Sequence, residues 1–152
     1  HTKAMMKKLG DVAFWRIAMR PGRPMAVGRL REAGRDCVLF GLPGNPVAVM
    51  VTFMAFVRPA LQQMMGGRGS AAPLLKARTT ETLRKKPGRT EYQRGIVEKQ
   101  DNGELWVRLT GNQGSGVLSS MAQANGLIVL HHAQTTAEAG EWVDVMMFDG
   151  HL

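Results

Sequence analysis

Residues 40–61, FGLPGNPVAVMVTFMAFVRPAL, constrain the fold more than any other stretch, because a long apolar run follows directly on a Gly/Pro-rich turn. Asn45 is a good helix N-cap, and Pro46 suits the first helical position, where its missing N–H costs nothing. Residues 47–65 are apolar nearly all round, which predicts a buried helix, kinked or broken near Pro59. Ahead of this corner, residues 2–9 read as a helix end stopped by Gly10. Residues 12–19, 25–30 and 36–40 read as three short strands, the first of them buried. Strands together with helices argue for an α/β layer structure, but too few strands are present for a complete doubly wound sheet. Residues 1–70 are therefore expected to be the second half of an α/β domain.

The pattern changes after residues 66–73, GGRGSAAP, which read as a linker. Residues 76–83, 91–99, 104–109, 126–130 and 141–147 are short strand candidates bounded by turn signals. Asn102-Gly103 is a strong hairpin signal, so the second and third of these should pair antiparallel. Five short strands in residues 71–152 predict a small barrel or sandwich.

Charge separates the halves as sharply as pattern does. The chain carries a net +8, and residues 1–70 hold 11 Lys/Arg against 3 Asp/Glu, whereas residues 71–152 hold 9 of each. One basic half points to an anionic partner. The single cysteine, Cys37, can form neither an internal disulfide nor a Cys-based metal site, which fits a reducing cytoplasm. Every apolar run of membrane-spanning length contains a break or a charge, so no membrane span is expected. The basic N-terminal residues lack the apolar segment of a signal peptide. The chain begins at His1, and is expected to be part of a longer one.

Three constellations could carry chemistry. In the first, Pro43, Gly44, Asn45 and Pro46 open a helix whose free N–H groups and positive dipole end can hold a phosphate; the alternative is a plain turn and cap. In the second, Arg16 and Arg20 would share one face of a strand over residues 12–19, with Pro21-Gly22 turning Arg23 toward them. Such guanidinium groups want a joining anion, or else they mark a solvated sheet edge. In the third, Gly111, Gly114 and Gly116 around Ser115 can present backbone N–H groups to an anion beside Arg94, or form an ordinary inter-strand loop. His131-His132 make a poor metal pair, since neighbouring strand residues face opposite ways. No Ser-His-Asp, Cys-His or close carboxylate arrangement is visible.

Taken together, AMRPGRPMAVGRL, FGLPGNPVAVMVTFMAFVRPAL, GRTEYQRG, NQGSGVLSSMAQANGLIVL and AGEWVDV resemble the C-terminal part of the MoeA family of molybdopterin molybdenumtransferases, related to the E domain of gephyrin. The resemblance spans essentially the whole chain. It implies half of a MogA-like three-layer α/β molybdopterin-binding domain over residues 1–70, followed by a small all-β barrel over residues 71–152, with a substrate cleft between them. It also implies an activity for the parent protein: insertion of molybdate into adenylylated molybdopterin, with Mg2+-assisted release of AMP. Homodimers are implied, with the molybdopterin adenylyltransferase as a further candidate partner. Neither nucleic acid nor a membrane is expected as a partner.

Position by position, the resemblance gives Arg16, Arg20 and Ser115 catalytic roles. It gives Arg23, Pro43, Gly44, Asn45, Pro46, Arg94 and Gly114 substrate-binding ones. Two departures stand out: arginines replace the family's usual lysines, and Ala48 replaces the serine usual after Asn-Pro-Val. The family's upstream Gly-Gly and acidic motif, expected to hold Mg2+, is not in this sequence. No metal ligand is therefore expected here, and the chain by itself is expected to be inactive. A rival reading makes the chain a basic β-barrel module for nucleic acid, or a scaffold domain. The charge-neutral barrel half, with Tyr92, Trp106 and Trp142 as its few aromatics for stacking, argues against nucleic acid.

Overall fold

The computed structural model describes residues 2–67, 71–114 and 118–148. Helix α1 (Thr2–Leu9) leads into β1 (Gly10–Arg16), which pairs antiparallel with β3 (Pro24–Glu32), and β3 pairs antiparallel with β4 (Arg35–Gly41). Between β1 and β3 lies the two-residue strand β2 (Met19–Arg20). After β4 comes one helical run: α2 (Pro46–Thr52), a π-helical turn (Phe53–Val57) and α3 (Arg58–Met64).

The π turn answers the expectation of a break near Pro59. A proline cannot donate, and its ring crowds the carbonyl four residues back. The helix widens just ahead of it, so that the Arg58 N–H bonds to Phe53 O, one residue further back than in an α-helix.

Two expectations fail in this region. Residues 12–19 are not one buried strand. Phe14 is half-buried and Trp15 exposed, and the strand ends at Arg16. The Ile17 N–H then bonds Arg23 O at 2.8 Å and the Met19 N–H bonds Ile17 O at 2.8 Å, a tight turn that passes the chain to the other sheet. There β2 pairs in parallel with residues 90 and 91, so long-range pairing overrides the local apolar run.

Nor is the helix buried all round. Val47 and Val51 are fully buried, while Met50, Phe53, Phe56, Leu61 and Met64 are exposed, Met64 at 57%. The described residues cover only one of its faces. By length and composition alone, Pro46–Met64 is apolar enough to cross a membrane, contrary to the sequence expectation, since Arg58 and Pro59 do not interrupt the helix. In this fold its Val47 and Val51 sit in a core shared with the barrel.

The second part is β5 (Leu74–Thr79), β6 (Thr90–Lys99), β7 (Leu105–Leu109), a short helix α4 (Leu118–Gln123), β8 (Gly126–Leu130) and β9 (Trp142–Met147). The sheet order is β6-β7-β5-β9-β8, and β8 pairs back onto β6, closing a five-stranded barrel; β2 adds to β6 from outside. As expected from Asn102-Gly103, β6 and β7 form an antiparallel hairpin, in which Asn102 Oδ1 accepts from the Glu104 N–H. Gly95 is where β6 meets both β7 and β8. A side chain there would come within 2.8 Å of Val107 Cγ2.

Strand β8, GLIVL, is buried at every residue because both of its faces are covered. Ile128 and Leu130 point into the barrel core with Val97, Val107, Val143 and Val145. Leu127 and Val129 point outward, into the second core with Met19, Val47, Val51, Met121 and Met146. That second core joins the two parts and fixes the cleft between them.

Candidate functional site

Arg20 ends β2 and stands where three adjoining hollows meet. The first, about 410 Å³, is lined by Arg20, Arg23, Pro43, Gly44 and Asn45. The second, about 400 Å³, is lined by Arg20, Arg84, Tyr92, Arg94, Gln113 and Gly114. The third, about 790 Å³, lies between Arg20, Arg84, Lys86 and Arg89. Arg20, Arg23, Arg84 and Arg89 have no ion pair among the described residues. Together they give the hollows a largely basic lining, with Glu91 and Glu138 the acids among them.

The helix corner splits the two readings given for it. Asn45 Oδ1 accepts from the Val47 N–H at 3.1 Å and the Ala48 N–H at 3.2 Å, so these helix-end donors are used internally by an N-cap. The corner contributes shape to the hollow, not those N–H groups. Pro46 lines none of these hollows.

Arg94 is the most confined charge. It is 1% exposed; Nε donates to Ser120 Oγ at 3.1 Å and Nη2 to Gly114 O at 3.0 Å. Gln113 holds its main chain from both sides, Oε1 accepting from the Arg94 N–H at 2.7 Å and Nε2 donating to Arg94 O at 3.1 Å. No carboxylate pairs with this guanidinium among the described residues. Burial pushes its pKa down from the ordinary value, and the group remains cationic. Burial likewise pushes the Tyr92 phenol up. Among the described residues this buried cation is held by one hydroxyl and one carbonyl, beside a hollow that Arg94 helps to line.

Of the residues singled out in the sequence, Arg20, Arg94 and Gly114 share one hollow, and Arg20, Arg23, Pro43, Gly44 and Asn45 another. Arg16 is not with them. With the strand broken at Ile17 it does not share a strand face with Arg20, and it lines a neighbouring hollow of about 540 Å³ with Phe14 and Trp15, which shares Pro43 and Gly44 with the first. Ser115 lies outside the described residues. Sequence reasoning missed Ser120 and Gln113, which orient Arg94, and Arg84 and Arg89, whose segment reads locally as a polar loop. Among the described residues no group of three or more His, Cys, Asp or Glu comes together, so they do not fit a Mg2+ site.

An α/β part packed on a closed β-barrel, with arginines that have no ion pair among the described residues lining the hollows at the seam, defines the class. Residues 1–63 match the family described as a probable molybdopterin binding domain, and residues 76–148 match the MoeA C-terminal region, domain IV. The chain belongs to the MoeA family. It is 38% identical over 152 residues to the molybdopterin molybdenumtransferase of Haemophilus influenzae, covering 99% of this chain and 36% of that protein. It is 30% identical to gephyrin of Dictyostelium discoideum over 95% of this chain and 23% of gephyrin. The structure of the molybdopterin biosynthesis MoeA protein from Pyrococcus horikoshii superposes with a TM-score of 0.74 at 26% identity, over 99% of this chain and 35% of that one. The chain thus spans about a third of the length of these molybdenumtransferases.

Proposed function

We propose that this chain is the cleft-forming C-terminal part of a cytoplasmic, homodimeric molybdenum cofactor biosynthesis enzyme, one that inserts molybdate into adenylylated molybdopterin with release of AMP. In this reading residues 1–70 are the second half of the molybdopterin-binding domain and residues 71–152 the barrel. The observation that carries it is Arg94, a buried residue with no carboxylate partner among the described residues, which lines the same hollow as Arg20.

Arg94 and Arg20 neutralise an oxyanion of molybdate or of the substrate's phosphate, and Arg23 extends the positive field along the Pro43–Asn45 corner. Holding these charges in place before the substrate arrives is what lowers the cost of building up negative charge during transfer. Ser115 is proposed to add a hydroxyl donor, and Arg16 to act from the neighbouring hollow. The described residues do not fit Mg2+.

The test is cofactor synthesis from adenylylated molybdopterin and molybdate by the full-length protein, with each variant shown to fold. A charge-assisted contact is worth about 1.5–3 kcal/mol, so Arg20→Ala should weaken substrate binding roughly 10- to 150-fold. Ser115→Ala, the loss of a neutral contact, should cost less. Arg20→Lys keeps the charge and should be mild. Full activity in Arg20→Ala would overturn the assignment.

A further inference from the structure

We infer that Lys85 is a positioning residue for the cleft: its ammonium fills a cage of main-chain carbonyls and so fixes the segment joining β5 to β6, which carries Arg84 and Arg89 to the hollows around Arg20. This rests on the proposal that those hollows take the substrate, and adds what holds two of their basic residues in place.

Residues 80–89 form neither helix nor strand apart from a single bridge of Leu83 to Ala137. There Leu83 and Ala137 exchange both main-chain hydrogen bonds, at 2.8 and 3.0 Å, and beyond the segment the Thr90 N–H bonds Ala18 O at 2.9 Å. These bonds fix the two ends. The middle is held by Lys85. Only 6% exposed, it donates from Nζ to Gln134 O at 2.7 Å, Lys86 O at 3.1 Å and His132 O at 3.4 Å. Its main chain is clasped as well, the Lys85 N–H donating to Thr136 Oγ1 at 3.3 Å. His132 O also accepts from the Gly88 N–H at 3.0 Å, so one carbonyl serves both the ammonium and the turn before Arg89. Opposite, the Gln134 N–H bonds His131 O at 3.0 Å and Gln134 Oε1 accepts from the His131 N–H at 3.1 Å. Those bonds shape the turn that supplies His132 O and Gln134 O.

No carboxylate pairs with Lys85 among the described residues. Carbonyl dipoles compensate the buried ammonium, as they would a bare monovalent cation. The cation lets carbonyls of two separate turns converge on one point, which locks one turn against the other. Without it, three carbonyl oxygens would face one another with no donor, a cost the segment relieves by moving. Arg84 and Arg89 move with it, since both lie between its fixed ends. Arg84 lines the second and third hollows, and Arg89 the first and third.

The experiment is steady-state cofactor synthesis by the full-length protein, titrated with adenylylated molybdopterin at saturating molybdate, with urea midpoints measured alongside. Lys85→Ala should raise KM roughly tenfold with kcat little changed, because displaced arginines lose contacts made equally in ground and transition states. Ammonium chloride should lower KM again by refilling the cage, and sodium chloride at equal ionic strength should not. Lys85→Met keeps most of the packing without the charge, and should show the same rise with no rescue. In the background Arg84→Gln/Arg89→Gln, either Lys85 substitution should add little, as expected of a residue that acts through those arginines. An unchanged KM in Lys85→Met, even with a lowered urea midpoint, overturns the positioning role. So does an equal rise with and without the two arginines, or a failure of ammonium to outdo sodium in folded Lys85→Ala. All three leave the cleft reading intact. Full activity in Arg20→Ala overturns the cleft reading and the role of Lys85 with it.

Discussion

The barrel and the α/β part use the same elements to opposite ends. In the barrel the ring from β6 round to β8 closes, and β8 is covered inside and out. In the α/β part the sheet β1-β3-β4 stays open among the described residues, and the α2–α3 run leaves Met50, Phe53, Phe56, Leu61 and Met64 exposed. Closure removes unpaired strand edges and concentrates buried area, so the barrel should hold most of the stability. The α/β part contributes Met19, Val47 and Val51, through which it grips the barrel, and supplies basic residues to the cleft.

The largest effect should come from the barrel core. Ile128 is fully buried there, and Ile128→Ala should cost about 2–5 kcal/mol. Phe53 on the helix is 39% exposed, and Phe53→Ala should stay within about 0.5 kcal/mol. Urea denaturation of both variants makes the comparison. Equal losses would mean that the helix face is covered in solution and that the contrast between the regions is wrong.

The next effect tests the seam. Gly22 sits in the turn after Arg20 with φ of 105°, and a Cβ there would lie 2.5 Å from Thr52 Oγ1 of α2. A side chain is strained in that conformation, so Gly22→Ala should cost about 1–3 kcal/mol. It should also loosen the α/β part more than the barrel, as read by amide hydrogen exchange in α2 against β8. Uniform loss of protection would mean that the two parts unfold as one unit.

What the sequence disclosed follows the same division. The barrel strands and the β6–β7 hairpin were legible because alternation and Asn102-Gly103 are local signals. The Asn45–Pro46 helix start was legible for the same reason. The end of β1 at Arg16 was not: it depends on residues 19 and 20 pairing with residues 90 and 91, a contact that no local pattern carries. The exposed side of the α2–α3 helix was equally hidden, since an all-round apolar pattern says that burial is wanted, not what supplies it. In the site, the resemblance pointed to Arg20 and Arg94. Ser120 and Gln113 could not be read, because their roles arise only when α4 and the loop after β7 fold against Arg94.

The smallest effect is expected on the barrel's outer surface. Asp144 on β9 accepts from Lys76 Nζ at 2.6 Å and stands 2.5 Å from His131 Nε2. Partial burial pushes its carboxyl up, but the hydrogen bonds and charges of Lys76 and His131 outweigh this and hold it below the ordinary carboxylate value. A carboxyl whose pKa is depressed on folding stabilises the fold above its unfolded pKa of about 4. That contribution fades as the pH falls through the lower folded value. The urea midpoint of the unmodified chain should therefore drop on acidification below about pH 4, and Asp144→Asn should flatten part of that drop. The same substitution should leave substrate binding in the cleft unchanged, because Asp144 lines none of the three hollows around Arg20. An acid profile identical in the two proteins would mean that Lys76 and His131 pair with Asp144 too weakly to matter, and that the barrel draws its stability from closure and core alone.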